Sequence, residues 1–247
     1  MALVFDLPST RTRVSFETGV YELGGHPLVL REGELQLARG ESPRDTALVL
    51  SRLVQAIAIR TPSQETVEAV ARHGSVPVIN MLTREHHPCQ ALADLVTLRE
   101  RFGRLKGLRV AYVGDGNNMA RSLVLLGAMA GVEVAVSSPA QLSLADVESV
   151  PLEDAVPGAH ALYTDVWLSM GDDATTAEHK RSLLSAYRLD EKLLAQADDD
   201  AIVLHCLPAH PGEEISEGLL YGERSAVWDQ AENRLHAQKA LLEMLLI

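Results

Sequence analysis

The stretch that decides the fold is residues 108–138, LRVAYVGDGNNMARSLVLLGAMAGVEVAVSS. Residues 108–113 are an apolar run typical of a buried strand, and residues 132–136 are a second such run. Between them, residues 118–130 carry apolar side chains at helical spacing. A strand, a helix and another strand joined by short turns predict a βαβ unit with parallel strands.

The same alternation continues on both sides of this stretch. Towards the N-terminus we predict strands at 3–5, 27–30, 56–59 and 76–80, and helices at 12–23, 45–53, 64–73 and 88–102. Towards the C-terminus we predict strands at 161–164 and 201–204, a helical stretch at 183–197 and an amphipathic helix at 230–245. A glycine- and lysine-marked break at 103–107 separates two series of elements. The predicted fold is α/β with two domains, each a parallel sheet flanked by helices: residues 1–102, residues 103–228, and a C-terminal helix at 229–247.

Composition excludes several classes of protein. The 247 residues carry 22 basic and 34 acidic side chains, a formal charge of −12, which disfavours nucleic acid as a partner. Apolar runs stop well short of the ~18 to 20 residues that span a bilayer, and residues 1–20 lack a signal-peptide layout, so we expect a cytoplasmic protein without a membrane partner. Cys89 and Cys206 form no CxxC pair, so we expect neither a disulfide framework nor a metal.

Chemistry in parallel sheets collects where strands end and helices begin. Residues 9–13, Ser-Thr-Arg-Thr-Arg, follow the first strand and open a helix, so hydroxyls and a guanidinium meet the positive end of the helix dipole. This arrangement suits a phosphate, and it is equally compatible with an ordinary N-cap beside solvent-facing arginines. Arg60, His87 and Gln90 follow two further strands and can converge on one point, although a lone histidine at a helix start is more often a cap.

Three segments of the second series invite a chemical interpretation. Residues 114–118, GDGNN, resemble a dinucleotide fingerprint, but the next strand ends in two serines instead of the acid that would hold a ribose, so Asn118 is better placed as a polar ligand contact. Asp165 ends a strand and could fix an ammonium group. His205, Cys206 and His210 resemble a metal or Cys–His nucleophile cluster, but the sequence supplies neither a second ligand cluster nor an orienting third group.

Seven ordered segments resemble the transcarbamylase superfamily and, within it, the ornithine carbamoyltransferases. They are Ser9-Thr10-Arg11-Thr12-Arg13, Ile59-Arg60-Thr61, His87-Pro88-Cys89-Gln90, Gly114-Asp115-Gly116-Asn117-Asn118, Asp165-Val166-Trp167-Leu168-Ser169-Met170-Gly171, His205-Cys206-Leu207-Pro208 and Gln230-Ala231-Glu232-Asn233-Arg234. They span nearly the whole chain, and the fifth and sixth point to ornithine as the acceptor instead of aspartate.

The resemblance implies an enzyme of arginine metabolism that transfers the carbamoyl group of carbamoyl phosphate to the δ-amine of L-ornithine, giving L-citrulline and phosphate. No metal and no organic cofactor is implied. Residues 1–102 would bind carbamoyl phosphate, residues 103–228 would bind ornithine, and residues 229–247 would return to the first domain. The implied carbamoyl phosphate ligands are Ser9, Thr10, Arg11, Thr12, Gln36, Arg60, His87, Gln90 and Arg234.

The resemblance also assigns roles within the site. Residues 9–12 would hold the phosphate, Arg60 and His87 would polarise the carbonyl oxygen, and Gln90 would orient the carbamoyl amide. Ornithine would bind second. Its implied ligands are Asn118, Asp165, Ser169, Met170, Cys206 and Leu207, with Met170 and Leu207 acting through the backbone. The implied catalytic residues are Arg60, His87, Cys206 and Arg234.

Family members are trimers or assemblies of trimers that share sites between neighbouring subunits, and residues 35–42, which include Gln36, match the loop that enters a neighbour's site. Compared with the family, the chain begins almost at its first strand, residues 139–157 are too short for a full crossover, and Leu7 and Pro211 depart from the usual residues. We therefore expect exposed apolar surface near residues 241–247 and beside the second sheet. Two alternatives stay open: a weak or inactive homologue that only binds carbamoyl phosphate or a partner, and a carbamoyltransferase for another amine.

Overall fold

A computed structural model describes residues 1–35, 40–168 and 173–246. The chain forms two compact units, the first made of Met1–Ala93 with Glu232–Ile247 and the second of Asp94–Ala231. No helix in the described part of the chain is both long enough and apolar enough to cross a membrane.

The first unit contains a four-stranded parallel sheet in the order β2-β1-β3-β4. In chain order its elements are β1 (Ala2–Phe5), α1 (Thr10–Glu22), β2 (Leu28–Arg31), a 3₁₀ turn (Glu32–Glu34), α2 (Pro43–Leu50), β3 (Ile57–Arg60), α3 (Gln64–His73), β4 (Val78–Leu82) and the start of α4 (Pro88–Phe102). Every residue of β1 and β3 is buried, because helices cover both faces of the sheet. Phe16, Met81 and Leu242 belong to the core on one face, and Ile59, Val67 and Val70 to the core on the other.

The second unit repeats this plan with a four-stranded parallel sheet in the order β6-β5-β7-β8. Its elements are β5 (Arg109–Val113), α5 (Asn118–Ala130), β6 (Glu133–Ser137), α6 (Leu152–Ala155), β7 (Ala161–Thr164), α7 (Ala174–Leu184), a 3₁₀ turn (Ser185–Tyr187), α8 (Glu191–Leu194), β8 (Ile202–His205), α9 (Glu217–Leu220) and α10 (Val227–Leu246), which continues into the first unit. The predicted fold class, two parallel sheets flanked by helices, is confirmed.

One predicted element is wrong. The helical stretch predicted at 183–197 is instead the end of α7, a 3₁₀ turn and the four-residue α8. Asp173 caps α7 ten residues before the predicted start by accepting a hydrogen bond from the Thr176 backbone N–H. Only Ala177 and Leu184 of α7 are recorded as buried, so the helix lacks the apolar stripe from which sequence analysis detects a helix.

Exposed apolar surface is expected beside the second sheet and near residues 241–247. Between β6 and β7 the described chain offers only α6, four residues long, and β6 is an edge strand whose first residue, Glu133, is exposed. At the end of α10, Met244 is 84% exposed and Leu245 and Leu246 are 41% and 42% exposed. The expected exposed apolar surface near residues 241–247 is thus present.

Candidate functional site

Each sheet reverses its direction of growth once, beside β1 in the first unit and beside β5 in the second. Ligands of open α/β sheets bind at the carboxyl ends of the strands at such a switch point. The loop after β1 carries Ser9, and the loop after β5 carries residues 114–117. Both of the motifs expected to meet a ligand therefore lie where the topology creates a crevice.

In the first unit, Arg234 joins two of the predicted ligand segments. Its guanidinium donates to the Gln90 side-chain oxygen (Nη1 to Oε1, 2.7 Å) and to the Thr12 hydroxyl (Nη2 to Oγ1, 2.6 Å). All three side chains are buried. Because Oε1 of Gln90 accepts from Arg234, the orientation of the carboxamide is fixed.

The start of α1 is organised as a capped helix N-terminus. Ser9 is the N-cap, and its hydroxyl accepts a hydrogen bond from the Thr12 backbone N–H at 3.4 Å. Thr10 is exposed and Arg11 is half-buried in the first turn. A 360 Å³ cavity lies alongside and is lined by Ser9, Thr10, Arg13 and Arg31, among others. The cap expected from sequence and a basic, open helix start are thus found together, as an anion site requires.

Burial and the charges around His87 decide its protonation state. His87 and Arg60 are both buried, each with 7% of its surface exposed. Burial, followed by the positive charges of Arg234 and Arg60, lowers the pKa of His87 well below its usual value, while hydrogen bonding with the Met81 backbone acts in the opposite direction. At neutral pH His87 is therefore an uncharged imidazole, and the positive charge of the pocket comes from its arginines.

This depressed pKa predicts that acid destabilises the protein through His87. Below about pH 6.5 the unfolded chain protonates this residue while the folded chain does not, so the unfolded state binds more protons and the free energy of unfolding falls with falling pH. One such group contributes a slope of up to about 1.4 kcal/mol per pH unit. We expect His87→Gln to remove this slope in urea denaturation at pH 5 to 7.

The exposed His26→Gln serves as the matched control, because it removes a histidine outside the pocket. If wild type and His87→Gln lose stability in parallel between pH 7 and pH 5, His87 is not the neutral buried group described here.

The two cysteines differ in environment. Cys89 is buried, donates to the Asn80 carbonyl oxygen at 3.3 Å, and has its pKa raised by burial to about 12. It is an inert packing residue. In the second unit, Cys206 donates through Sγ to Oδ1 of Asp165 at 2.8 Å, so its thiol belongs to a polar network.

Asp165 is the centre of that network. Oδ1 also accepts from the Val166 backbone N–H at 2.7 Å, and Oδ2 accepts from the Asn117 side-chain nitrogen at 2.8 Å. Asp165 is 9% exposed. A buried carboxylate with donors on both oxygens is held in one orientation, which suits a fixed partner for an ammonium group.

Asn117 is a candidate positioning residue that the sequence analysis did not single out. Its Oδ1 accepts from the backbone N–H groups of Met119 and Ala120, at 2.9 and 3.2 Å, and lies 3.1 Å from the Tyr112 hydroxyl. These donors force its amide nitrogen towards Asp165. The cap position before α5 could have been recognised from the sequence, but the bond to Asp165, 48 residues away, could not. The predicted ligand Asn118 is the first residue of α5 and is half-buried.

His205 and Leu207 complete the second unit's polar segment. The Leu207 backbone N–H donates to Nδ1 of His205 at 2.9 Å, and Leu207 has a left-handed backbone with φ of 59°. Nε2 of His205 faces Oε1 of the buried Glu214 at 3.3 Å. Burial alone would raise the pKa of Glu214, but hydrogen bonding with His205 and with the His210 backbone N–H outweighs it, so the pKa lies below its usual value. Glu214 is thus a buried acid beside His205 that the sequence did not reveal.

Asp165, His205 and Cys206 are a possible metal-ligand group among the described residues, with ligand atoms within 4.8 Å of one another. The hydrogen bonds above already engage the carboxylate, the thiol and Nδ1 of the histidine. A metal ion would have to displace these bonds, so the geometry favours the polar network over a zinc site. The expectation that the chain needs neither metal nor cofactor stays a prediction.

Three of the predicted ligands, Gln36, Ser169 and Met170, lie outside the described residues. The others fall into two groups, one in each unit. Ser9, Thr10, Arg11, Thr12, Arg60, His87, Gln90 and Arg234 lie in the first unit, and Asn118, Asp165, Cys206 and Leu207 lie in the second.

Two family models match the chain. The model for the carbamoyl-P binding domain of aspartate/ornithine carbamoyltransferase matches residues 1–100, and the model for the Asp/Orn binding domain of the same family matches residues 106–245. Between them they include every predicted site residue.

Individual relatives are similar in sequence to this chain over its full length. Ornithine carbamoyltransferase of Parafrankia is 53% identical over 263 residues, covering 100% of this chain and 83% of the relative. That of Methanoculleus marisnigri is 50% identical, covering 100% and 84%. The alignment of 263 positions is longer than this chain of 247 residues, so it contains gaps in this chain.

Solved structures are similar throughout the fold. Ornithine carbamoyltransferase from Pyrococcus furiosus is 45% identical with a TM-score of 0.95, covering 99% of this chain and 83% of that one. The enzyme from Thermus thermophilus is 44% identical with a TM-score of 0.91, covering 100% and 85%.

Proposed function

Since this chain belongs to the aspartate/ornithine carbamoyltransferase family, we propose that it transfers the carbamoyl group of carbamoyl phosphate to the δ-amine of L-ornithine. The resemblance seen in the seven motifs, and with it the enzyme class, is confirmed by the family models and the relatives. The observation that carries ornithine as the acceptor is the 53% identity, across the whole chain, with a relative named for that substrate.

Carbamoyl phosphate is assigned to residues 1–102. The α1 N-terminus with Ser9, Thr10, Arg11 and Thr12 would hold the phosphate, so that its charge is neutralised before it leaves. Arg60 would polarise the carbonyl oxygen beside the neutral His87. Gln90 would orient the carbamoyl amide, with Arg234 fixing the Gln90 carboxamide. Gln36 would contribute to a neighbouring subunit's site.

Ornithine is assigned to residues 103–228, with 229–247 returning to the first domain. The Asp165 carboxylate would pair with the α-ammonium group, and Asn118, Ser169 and Met170 would hold the rest of the amino acid head. The Cys206 thiol and the Leu207 carbonyl would steer the δ-amine. A free alkylamine is almost fully protonated at pH 7, so the site must select its neutral form.

The proposed reaction needs no reagent besides the two substrates. The δ-amine nitrogen attacks the carbonyl carbon of carbamoyl phosphate and forms the C–N bond, and the carbonyl oxygen becomes an oxyanion stabilised by Arg60. Collapse of this intermediate breaks the C–O bond to phosphate. The amine loses one proton, and the departing phosphate takes it up, giving citrulline and hydrogen phosphate.

The setting of the enzyme is also part of the proposal. We expect a trimer, or an assembly of trimers, working in arginine biosynthesis in the cytoplasm. Two free, buried cysteines fit a reducing compartment. An assembly mass in light scattering of three times the chain mass, or a multiple of this, would support shared sites.

An acceptor panel separates this proposal from its alternatives. Ornithine, putrescine, lysine and aspartate are compared as co-substrates of carbamoyl phosphate. We expect ornithine to be preferred, because putrescine keeps an ammonium group for Asp165 but lacks the α-carboxylate that Asn118 and the other ligands of the amino acid head would hold. A preference for putrescine would replace the proposal with a carbamoyltransferase for another amine, and calorimetric binding of carbamoyl phosphate with no product from any amine would support a binding-only homologue.

A further inference from the structure

Asp115 lies inside the Gly114–Asn118 motif, yet none of the roles assigned above uses its side chain. Its carboxylate is 8% exposed and binds the ammonium group of Lys180 on α7, with Oδ2 and Nζ 3.0 Å apart. Lys180 is itself only 14% exposed. The other ion pairs recorded for lysine and arginine each have at least one partner exposed above 30%, so this pair is unusually well shielded from water among the described residues.

The pair is connected to the residues that hold Asp165. The backbone carbonyl of Asp115 lies 3.0 Å from the Tyr112 hydroxyl, and that hydroxyl lies 3.1 Å from Oδ1 of Asn117. Asn117 in turn donates to Asp165. Tyr112 is fully buried and cannot follow a displaced loop into solvent. A shift of Asp115 therefore changes the hydrogen bonds that orient Asn117 and the Asp165 carboxylate.

The backbone of the 114–117 loop is restricted at two glycines that lie on either side of Asp115. Gly114 has a φ of 138°, and a Cβ on Gly116 would lie 2.5 Å from the Leu142 carbonyl oxygen, so glycines are needed at both positions. Between these two glycines, the Lys180 ammonium holds the Asp115 side chain. The backbone of Lys180 is held in place in turn, because α7 is capped by Asp173 and packs through Ala177 and Leu184.

We propose that Lys180 and Asp115 form a positioning pair that sets the ornithine affinity of the site by fixing the 114–117 loop and, through Asn117, the Asp165 carboxylate. This inference rests on the proposed function. Neither side chain touches the substrate in this proposal. The pair therefore affects the affinity for the amino acid and leaves carbamoyl phosphate binding and the chemical step largely unchanged.

The test is steady-state kinetics of the full chain with both substrates varied. In Lys180→Met, which keeps the length of the side chain and removes its charge, we expect KM for ornithine to rise about 10-fold, while KM for carbamoyl phosphate and kcat change less than about 3-fold. Lys180→Arg should restore the ornithine KM to within about 2-fold of wild type, because it restores the ion pair. Lys192→Met, an exposed lysine in the same unit, is the matched control.

A double-mutant cycle tests whether Asp115 and Lys180 act as one pair. Asp115→Asn should raise the ornithine KM as Lys180→Met does, and the double variant should raise it no further. An unchanged ornithine KM in folded Lys180→Met, or an equal rise of both KM values that Lys180→Arg does not rescue, would overturn the proposal. If Lys180→Met does not fold, Asp115→Asn and Lys180→Arg decide by the same criteria. Failure of the proposed function can be told apart from failure of this proposal, because the wild-type protein would then make no citrulline. In that case the ornithine affinities of wild type and variants would be compared by calorimetry.

Discussion

Replacing Arg60 with alanine is expected to reduce kcat by about 10²- to 10³-fold, because it removes a charged donor to the developing oxyanion. Arg60 ends β3, and its side chain is 7% exposed in the pocket it shares with His87. Ground-state binding of ornithine should change little. Initial rates of citrulline formation at saturating substrates measure the effect directly.

Two companion variants sharpen this prediction. Arg60→Lys keeps the charge and loses the planar fork, so it should recover only part of the rate. Arg72→Ala, on the exposed side of α3, should leave kcat unchanged. The Arg60 charge also helps to lower the pKa of His87, so Arg60→Ala should raise that pKa in an NMR titration. A folded Arg60→Ala enzyme with wild-type kcat would remove Arg60 from the reaction.

Replacing Asp165 with asparagine is expected to reduce kcat/KM for ornithine by about 10- to 100-fold, since a hydrogen bond to a charged group contributes roughly 1.5 to 3 kcal/mol. The variant loses the charge that pairs with the α-ammonium group. Its new amide must also accommodate the donors from Asn117, Val166 and Cys206 that the carboxylate accepts. KM for carbamoyl phosphate should stay within about 2-fold of wild type, because its assigned ligands lie in the first unit.

Asp154→Asn is the matched control, since Asp154 is an exposed acid of the same unit. Its kinetics should equal those of wild type. Equal kcat/KM values for ornithine in Asp165→Asn and wild type would show that the carboxylate does not hold the substrate, and the ornithine assignment of this network would be lost.

The sequence predicts best those helices that carry their own start and stop signals. The bounds of α3 and α5 agree with prediction to the residue, because Ser63 and Asn117 cap their starts and Gly74 and Gly131 follow their ends. The stretch at 183–197 fails because α7 is polar around most of its surface and its cap, Asp173, precedes a stretch without apolar periodicity. Strand order likewise came from the structure, since a βαβ pattern fixes parallel pairing and leaves the neighbours open.

The candidate site was likewise predictable only in part from the sequence. Strand-end reasoning identified the segments that begin at Ser9, Gly114 and Asp165, because they follow β1, β5 and β7 in the chain. The segment with Arg234 lies in α10 and came only from the family resemblance. The partners within each segment's network were not predictable, since Gln90 and Arg234 are 144 residues apart and Asp115 and Lys180 are 65 apart. Such contacts depend on how helices pack over a sheet, and no local pattern encodes them. Glu214 stayed hidden for the same reason, as an acid in an otherwise unremarkable loop.

The most direct test of the central claim is the joint measurement of citrulline and phosphate from purified protein supplied with carbamoyl phosphate and L-ornithine. We predict that the two products form in equal amounts, at a rate that requires both substrates and is proportional to protein concentration. Chelators should not change the rate, because no step of the proposed mechanism uses a metal. A folded protein that forms no citrulline, or that releases phosphate without it, would contradict the assignment.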